Sequence, residues 1–502
     1  MAFRCLFFTL RRFAYSSRRS ISSKTTPMDE AACTFKRDDL TSRMLKLVFP
    51  RRSATAVLQN WIDQGHKVTA SDLRNVSRQL LKSKRHKHAL EILAWMEAQN
   101  RFQMSAADHA IRLELIIKIQ SLAEAEEYFK HLPNSSSRKA ACLPLLHAYV
   151  KERAIEKAEA LMLKLNDLGL TVSPHPFNEM MKLYMATSQF ERVPTVILQM
   201  KQNKIPLNVL SYNLWMSACS EVSGVASAEM VYKEMVDDKN MEVGWSTLST
   251  LANIYLKSGL IKKANLALKN AEKKLSAHNR LGYFFLITMY ASLSNKEEVL
   301  RLWETSKKVG GRITSTNYMC ILLCLVKLGD IAEAERIFRE WESKCWKYDI
   351  RVSNVLLGAY MRTGSMDKAE SLHLHTLERG GCPNYKTWEI LMEGWMKSQN
   401  MDKAINAMKK GFSMLKHCEW RPNPGLVMAI AGYLEEHGNV NDLNQYVKVI
   451  HQLGIANLPL YKSLLRMHLL FQRPVFDILK MMEKDEIEMD DETSALVQAC
   501  KV

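Results

Sequence analysis

"YMRTGSMDKA" occupies residues 360–369, and near-copies recur along the chain: "YVKERAIEKA" at 149–158, "YLKSGLIKKA" at 255–264 and "WMKSQNMDKA" at 395–404. The aromatic or equivalent position falls at Tyr149, Tyr184, Cys219, Tyr255, Tyr290, Leu325, Tyr360 and Trp395, with steps of 35 or 36 residues. A closing small residue keeps the same steps at Ala158, Val193, Ala228, Ala264, Val299, Ala334, Ala369 and Ala404. Two independent columns sharing one period mark stacked supersecondary units.

Each unit reads as two helices. Around Tyr360, the residues Val355, Leu356, Ala359 and Tyr360 recur at helical spacing, and Gly364 ends the run. Met366, Ala369, Leu372 and Leu377 form a second stripe before Gly380, Gly381 and Pro383 break it. A small residue lets two helices approach closely, and an aromatic fills the gap between neighbouring hairpins. Neither stripe can be buried alone, so the units must stack into a superhelix. The expected fold is all-α, a right-handed superhelical solenoid of about a dozen helix-turn-helix repeats.

The units run 70–105, 106–138, 139–173, 174–208, 209–244, 245–279, 280–314, 315–349, 350–384, 385–423 and 424–458, with a weaker one from Pro459. The array thus spans about 70–495. Residues 29–69 form a lead-in, in which "VLQNWIDQGHKV" reads as an amphipathic helix, and 483–502 form an acidic, solvated end.

The chain has 502 residues, of which 47% are apolar and 25% charged; this would permit several globular domains, but the repeat argues for one array. No apolar run is long enough to span a membrane. The ten cysteines contain no CxxC pair, which fits a reducing compartment. The formal charge is +17. Residues 1–28 carry +6 without an acid and residues 483–502 carry −5, which leaves +16 on the body between them, a balance suited to a polyanionic partner.

Residues 1–28 are rich in Arg and Ser, and Phe3, Leu6, Phe7 and Leu10 can share one helical face. This is the composition of an organelle transit peptide, mitochondrial rather than chloroplast because the arginines are dense.

The period of 35, "SYN" at 211–213, "K-x-G" at 257–259 and 327–329, and "GGCPN" at 380–384 together resemble the pentatricopeptide repeat family. The plain helix-hairpin units resemble its P-type, and the lead-in resembles a plant mitochondrial branch, some members of which are mitoribosomal proteins. The resemblance implies binding of single-stranded RNA at about one base per repeat. It also implies that the fifth residue of each first helix and the last residue of the unit face the base. Carried onto this chain, the pairs are Asn178 with Asn208, Asn213 with Gly244, Ser249 with Asn279, Phe284 with Thr314, Met319 with Asp349, Asn354 with Asn384, and Glu389 with Asn423. An Asn amide offers both donor and acceptor to a base edge. Each of these Asn residues equally suits a turn or helix end. Phe284 and Met319 offer no hydrogen-bonding edge, and Glu389 is an acid facing an anion, so the readable pairs are not contiguous.

The thirteenth position of successive first helices holds Lys151, Lys257, Lys327, Arg362 and Lys397. Such a ladder suits phosphate contacts, which position a strand without reading it; a solvated helix face explains any single rung as well.

Enzymatic chemistry is not expected. "HCE" at 417–419 lacks the P-C-x-x-C partner of a zinc deaminase. The histidines of "HLH" at 373–375 and "HKH" at 86–88 diverge on a helix. No Gly-rich phosphate loop or nucleophile elbow is present, and neither cofactor nor metal is implied. The reading that follows is a mitochondrial single-stranded RNA-binding adaptor in transcript processing, stability or translation. The alternatives are a structural subunit of the mitochondrial ribosome, held to ribosomal RNA and ribosomal proteins, and a protein-binding scaffold using the apolar Phe284 and Met319.

Overall fold

A computed structural model describes residues 39–47, 53–99, 101–167, 169, 171–276, 278–414, 424–437 and 440–499. The expected targeting segment 1–28 lies outside the described residues, as do His417 and Asn423. Among the described residues there are 27 α-helices and no strand. Two compact units divide the chain, one within 17–275 and one that includes 276–502.

Within the first unit, six helical hairpins follow one another: 70–82 with 86–98, 106–119 with 122–130, 135–152 with 155–167, 174–186 with 192–202, 209–223 with 225–237, and 245–257 with 261–273. The lead-in joins them as two helices, Leu40–Leu45 and Ala54–Asp63. These pack on the first hairpin through the fully buried Met44, Leu58, Leu80, Ile92 and Met96. The lead-in therefore seals the apolar face that an end hairpin would leave open. One boundary differs from the sequence reading: the first helix of the 139–173 unit begins at Ser135, because Asn134 caps it by accepting the Ser137 N–H at 2.7 Å.

The second unit holds six further hairpins: 280–292 with 296–307, 315–327 with 331–344, 350–362 with 366–378, 385–397 with 401–413, 424–437 with 440–452, and 458–470 with 476–484. Helix Asp491–Ala499 closes it against 458–470. The acidic end carries this helix while most of its acids stay exposed. Lys462 pairs with Asp490 at 2.6 Å and with Glu492, Arg466 reaches Glu492 at 3.5 Å, and His451 and Tyr461 both bond Asp485. Asp490 and Glu492 thereby neutralise two cations on the last hairpin.

Both ends of the first helix are written into the repeat. Its start is an N-cap one residue before the helix, as at Thr69, Ser105, Asn208, Thr314 and Asn384, each closing a capping box with the third helical residue. Its stop is a left-handed residue, Gly259, Gly329 or Gly364 where the repeat is regular, at φ +73, +78 and +74°. There the carbonyl of the aromatic column accepts the closing bond: Leu260 N–H to Tyr255 O at 2.8 Å, Ser365 N–H to Tyr360 O at 2.9 Å, Asn400 N–H to Trp395 O at 2.9 Å.

The small column is completely buried: Ala158, Val193, Ala228, Ala264, Val299, Ala334, Ala369 and Ala404 are each 0% exposed. First helices also pack on the next first helix, 174–186 on 209–223 on 245–257 in the first unit, and 280–292 on 315–327 on 350–362 on 385–397 in the second. Where 350–362 meets 385–397, a Cβ on Gly394 would collide with the Met361 side chain, so glycine there sets the approach of two helices. No described helix is long and apolar enough to cross a membrane.

Candidate nucleic-acid interface

The fifth residue of a first helix meets the cap of the next. Asn178 Nδ2 donates to Asn208 Oδ1 at 3.2 Å, and Ser211 Oγ donates to Asn178 Oδ1 at 2.8 Å. Asn208 Oδ1 also accepts the Ser211 N–H at 2.9 Å. In the other unit the arrangement repeats: Asn354 Nδ2 to Asn384 Oδ1 at 3.3 Å, Thr387 Oγ1 to Asn354 Oδ1 at 3.0 Å, and the Thr387 N–H to Asn384 Oδ1 at 3.0 Å. Asn178 and Asn354 are buried while Asn208 and Asn384 are half-buried. Each unit-end Asn is therefore an N-cap and also the outer half of a fixed amide pair. Its oxygen is committed to the repeat junction. Its Nδ2 makes no hydrogen bond within either network.

Between 209–223 and 245–257 the same network lacks its middle member. Gly244 caps the helix without a side chain, and Asn213 Oδ1 and Thr247 Oγ1 are left buried without partners. Ser249 is 1% exposed, and its Oγ is likewise unpartnered. Buried polar atoms left unpaired cost stability, so their retention calls for an explanation. Asn279, in the second unit, caps 280–292 by accepting the Gly282 N–H at 3.1 Å.

Other fifth positions are occupied elsewhere. Phe284 is 1% exposed and meets the Trp303 ring edge-on at 6.0 Å, with Trp303 in turn against Tyr318 at 5.3 Å. This corrects the view of Phe284 as an apolar docking residue: it belongs to an aromatic core and presents no surface. Met319 is half-buried. Its partner position Asp349 is held by Arg351 at 2.7 Å, and the Arg351 guanidinium keeps its carboxyl below the usual range. Glu389 is nearly buried against Lys386 at 2.6 Å.

The cations of the thirteenth position all stand exposed or half-exposed in the last turn of their helices, where positive charge complements the helix dipole. The rungs touch across repeats. Lys257 is ion-paired with Glu221, the thirteenth residue of the preceding helix, and Lys327 Nζ donates to Ser292 Oγ, the equivalent residue before it, at 2.9 Å. Lys151 lies 3.7 Å from its neighbour Glu152. Arg362 and Lys397 make no ion pair among the described residues. Within the ladder, these two consecutive rungs are therefore the ones that no carboxylate neutralises among the described residues.

On the opposite side of the aromatic column lies a clamp that the sequence reading missed. Tyr184 donates to Glu159 of the preceding repeat at 2.9 Å, and Arg192 pairs with the same carboxylate. Tyr255, Lys263 and Glu229 repeat this at 2.8 and 2.8 Å, and Tyr360, Lys368 and Glu335 at 2.8 and 2.9 Å. Lys403 sits over Trp395 at 4.5 Å and pairs with Glu370. The signal was available: Glu126, Glu159, Glu229, Glu335 and Glu370 all stand 23 to 26 residues before the aromatic.

Sequence comparison places the chain in a family. Residues 160–221 match the profile of the pentatricopeptide repeat domain, and 210–240, 317–345 and 352–380 match that of the PPR repeat. Pentatricopeptide repeat-containing protein At5g27460 of Arabidopsis thaliana is 55% identical over 97% of this chain and 100% of its own length. The same plant's mitochondrial pentatricopeptide repeat-containing protein At1g02370 is 30% identical over 92% of this chain and 86% of its own. The solved structure of maize PPR10 shares 16% identity, with a TM-score of 0.49 over 89% of this chain and 68% of that one. With its period, capped hairpins and long co-linear match, the chain belongs to the pentatricopeptide repeat family.

Proposed function

We propose that this protein is a mitochondrial single-stranded RNA-binding adaptor acting on transcript processing, stability or translation, by binding rather than catalysis. The observation that carries this is the twice-built Asn–Asn–hydroxyl network, together with the unpartnered Asn213 Oδ1 and Ser249 Oγ. A pre-oriented amide donor at the rim of a repeat junction suits a base edge, and a buried polar atom without a partner suits a ligand that supplies one. Arg362 and Lys397 suit phosphates. The mitochondrial address rests on the acid-free, Arg-rich residues 1–28 and is compatible with relatives whose names include "mitochondrial".

The test is a selection from randomised RNA with the mature chain. An enriched motif that loses information at one nucleotide in Asn354→Ala/Asn384→Ala, with overall affinity nearly kept, is the expected result. A motif indifferent to residues 178, 208, 354 and 384 refutes the base-reading assignment. One observation favours a second reading, a structural subunit of the mitochondrial ribosome. Phe284, Asp349 and Glu389 are committed within the protein, which interrupts any continuous base reading. Co-sedimentation of the tagged protein with mitoribosomal particles in salt, and no selected motif, would identify that role.

A further inference from the structure

The repeats 280–314 and 315–349 are two consecutive ones whose fifth residues, Phe284 and Met319, offer a base no hydrogen-bonding edge. The unit-end residues of these same repeats, Thr314 and Asp349, both line a cleft of about 1280 Å³ within the second unit. The loops that end helices 296–307, 331–344 and 366–378 surround it. Five cations line it, Arg312, Lys344, Lys347, Arg351 and Arg379, against one acid, Asp349. Lys344 is paired with Glu340 at 2.9 Å, and Arg351 with Asp349. Arg312, Lys347 and Arg379 are exposed and make no ion pair among the described residues.

One side chain of the cleft has no packing explanation. Trp346 is 92% exposed, the most exposed of the described large apolar residues. It stands between Lys344 and Lys347 on the loop that enters helix Ile350–Arg362. Its neighbours are ordered by contrast: Trp341 is buried and meets Tyr348 edge-on at 5.1 Å, and Tyr348 is tied to Ser353 at 2.8 Å. The loop is thus pinned on both sides while one indole is left in water. An aromatic face with unpaired cations around it is the composition that holds single-stranded nucleic acid without reading sequence: the base stacks and the cations take the phosphates. A protein partner is the weaker fit, because five cations against one acid line the cleft.

We infer that this cleft is an accessory nucleotide site, in which Trp346 stacks on a base of the bound RNA strand and Arg312, Lys347 and Arg379 hold its phosphates. It rests on the RNA-binding reading and adds to it: where two repeats lack a readable pair, the strand is gripped at the loop edge by stacking and charge. Binding there is indifferent to base identity.

The experiment uses the mature chain and oligo(U) and oligo(A) RNA long enough to span the array. Trp346→Ala, Trp346→Phe and Trp346→Leu are compared with Asn354→Ala/Asn384→Ala. Because Trp346 is exposed, its replacement leaves folding intact. Trp346→Ala is expected to weaken both RNAs about tenfold, with Phe restoring binding and Leu failing to, since stacking and not apolar area is at issue. The triple variant Arg312→Gln, Lys347→Gln, Arg379→Gln is expected to lower the salt slope by about 2. Photocrosslinking of 4-thiouridine RNA should map to the peptide that contains Trp346. Wild-type RNA binding with unchanged affinity in Trp346→Ala overturns this inference alone. So does a mononucleotide that binds through Trp346 while RNA does not, or a protein partner lost in Trp346→Ala with RNA binding kept. Absence of any wild-type RNA binding overturns both this inference and the proposed function.

Discussion

Asn354 and Asn384 lie 30 residues apart in the chain, yet the Nδ2 of one donates to the Oδ1 of the other at 3.3 Å across a repeat junction. Asn178 and Asn208 do the same at 3.2 Å. In both cases a third residue decides which way the amide points. The Thr387 and Ser211 hydroxyls donate into the Oδ1 of the inner Asn, which leaves its Nδ2 to face the cap.

Removing that hydroxyl should therefore separate orientation from affinity. Thr387→Val keeps the shape and loses the donor. We expect about 1 kcal/mol of lost stability and a loss of discrimination at one nucleotide, with overall RNA affinity within about twofold. Urea unfolding and a selection from randomised RNA measure the two effects. Unaltered selectivity would show that Thr387 does not position the Asn354 amide.

Gly244 is the inverse case. Its backbone is extended at φ −97°, and nothing lies within 4 Å of an added Cβ. Gly244→Asn supplies the missing middle member between Asn213 and Thr247. Stability should rise by about 1 kcal/mol. A lowered urea midpoint would mean that the two orphaned oxygens are satisfied in another way.

The thirteenth-position cations should act unequally. Arg362→Gln with Lys397→Gln should reduce the salt slope of RNA binding by about 1.4, which is about 0.7 for each phosphate deprived of its cation. Lys257→Gln should change it less, because Glu221 already neutralises that lysine. Equal slopes for all variants, with circular dichroism unchanged, would reduce the ladder to solvated charge at helix ends.

The aromatic clamps carry a pH signature. Lys263 first, and then Tyr255, hold Glu229 below the usual carboxylate range. A depressed folded value means that the stabilisation is full above about pH 4.5 and disappears as pH falls through the folded value. The carboxylate is well exposed, so its worth is at most about 1 kcal/mol. Glu229→Gln should cost that amount at pH 7 and progressively less as the pH falls below about 4.5, read from urea midpoints across that range.

Gly394→Ala tests packing alone. The added methyl collides with the Met361 side chain where helices Ile350–Arg362 and Tyr385–Lys397 cross. We expect a loss of about 1–3 kcal/mol. Met361→Ala in the same chain should recover part of it by making room, whereas additive losses would argue against this collision as the cause.

The period, the hairpins and the two columns were legible because they are local. A helix needs its stripe, its N-cap and its left-handed stop within some 15 residues, and Tyr360, Gly364 and Ala369 carry all the information for one junction. The dual nature of the unit-end Asn was legible too, as helix cap or base contact. The structure shows Asn208 and Asn384 as caps that also accept from the fifth-position Asn of the preceding first helix. The N-x-x-Ser/Thr spacing of Asn208 with Ser211 and Asn384 with Thr387 was already a capping signal.

What tertiary structure alone decided is how residues on different helices meet. No periodicity announces that Glu221 cancels Lys257, or that Phe284 turns into an aromatic core with Trp303 and so leaves the surface. Nor does it announce that Trp346 is left outside while Trp341, five residues earlier, is enclosed. The sequence by itself determined which elements form and how often they repeat, since these follow from spacing along one helix. Which side chains remain free for a partner follows from what the neighbouring repeat places opposite them, and that is a property of the packed chain.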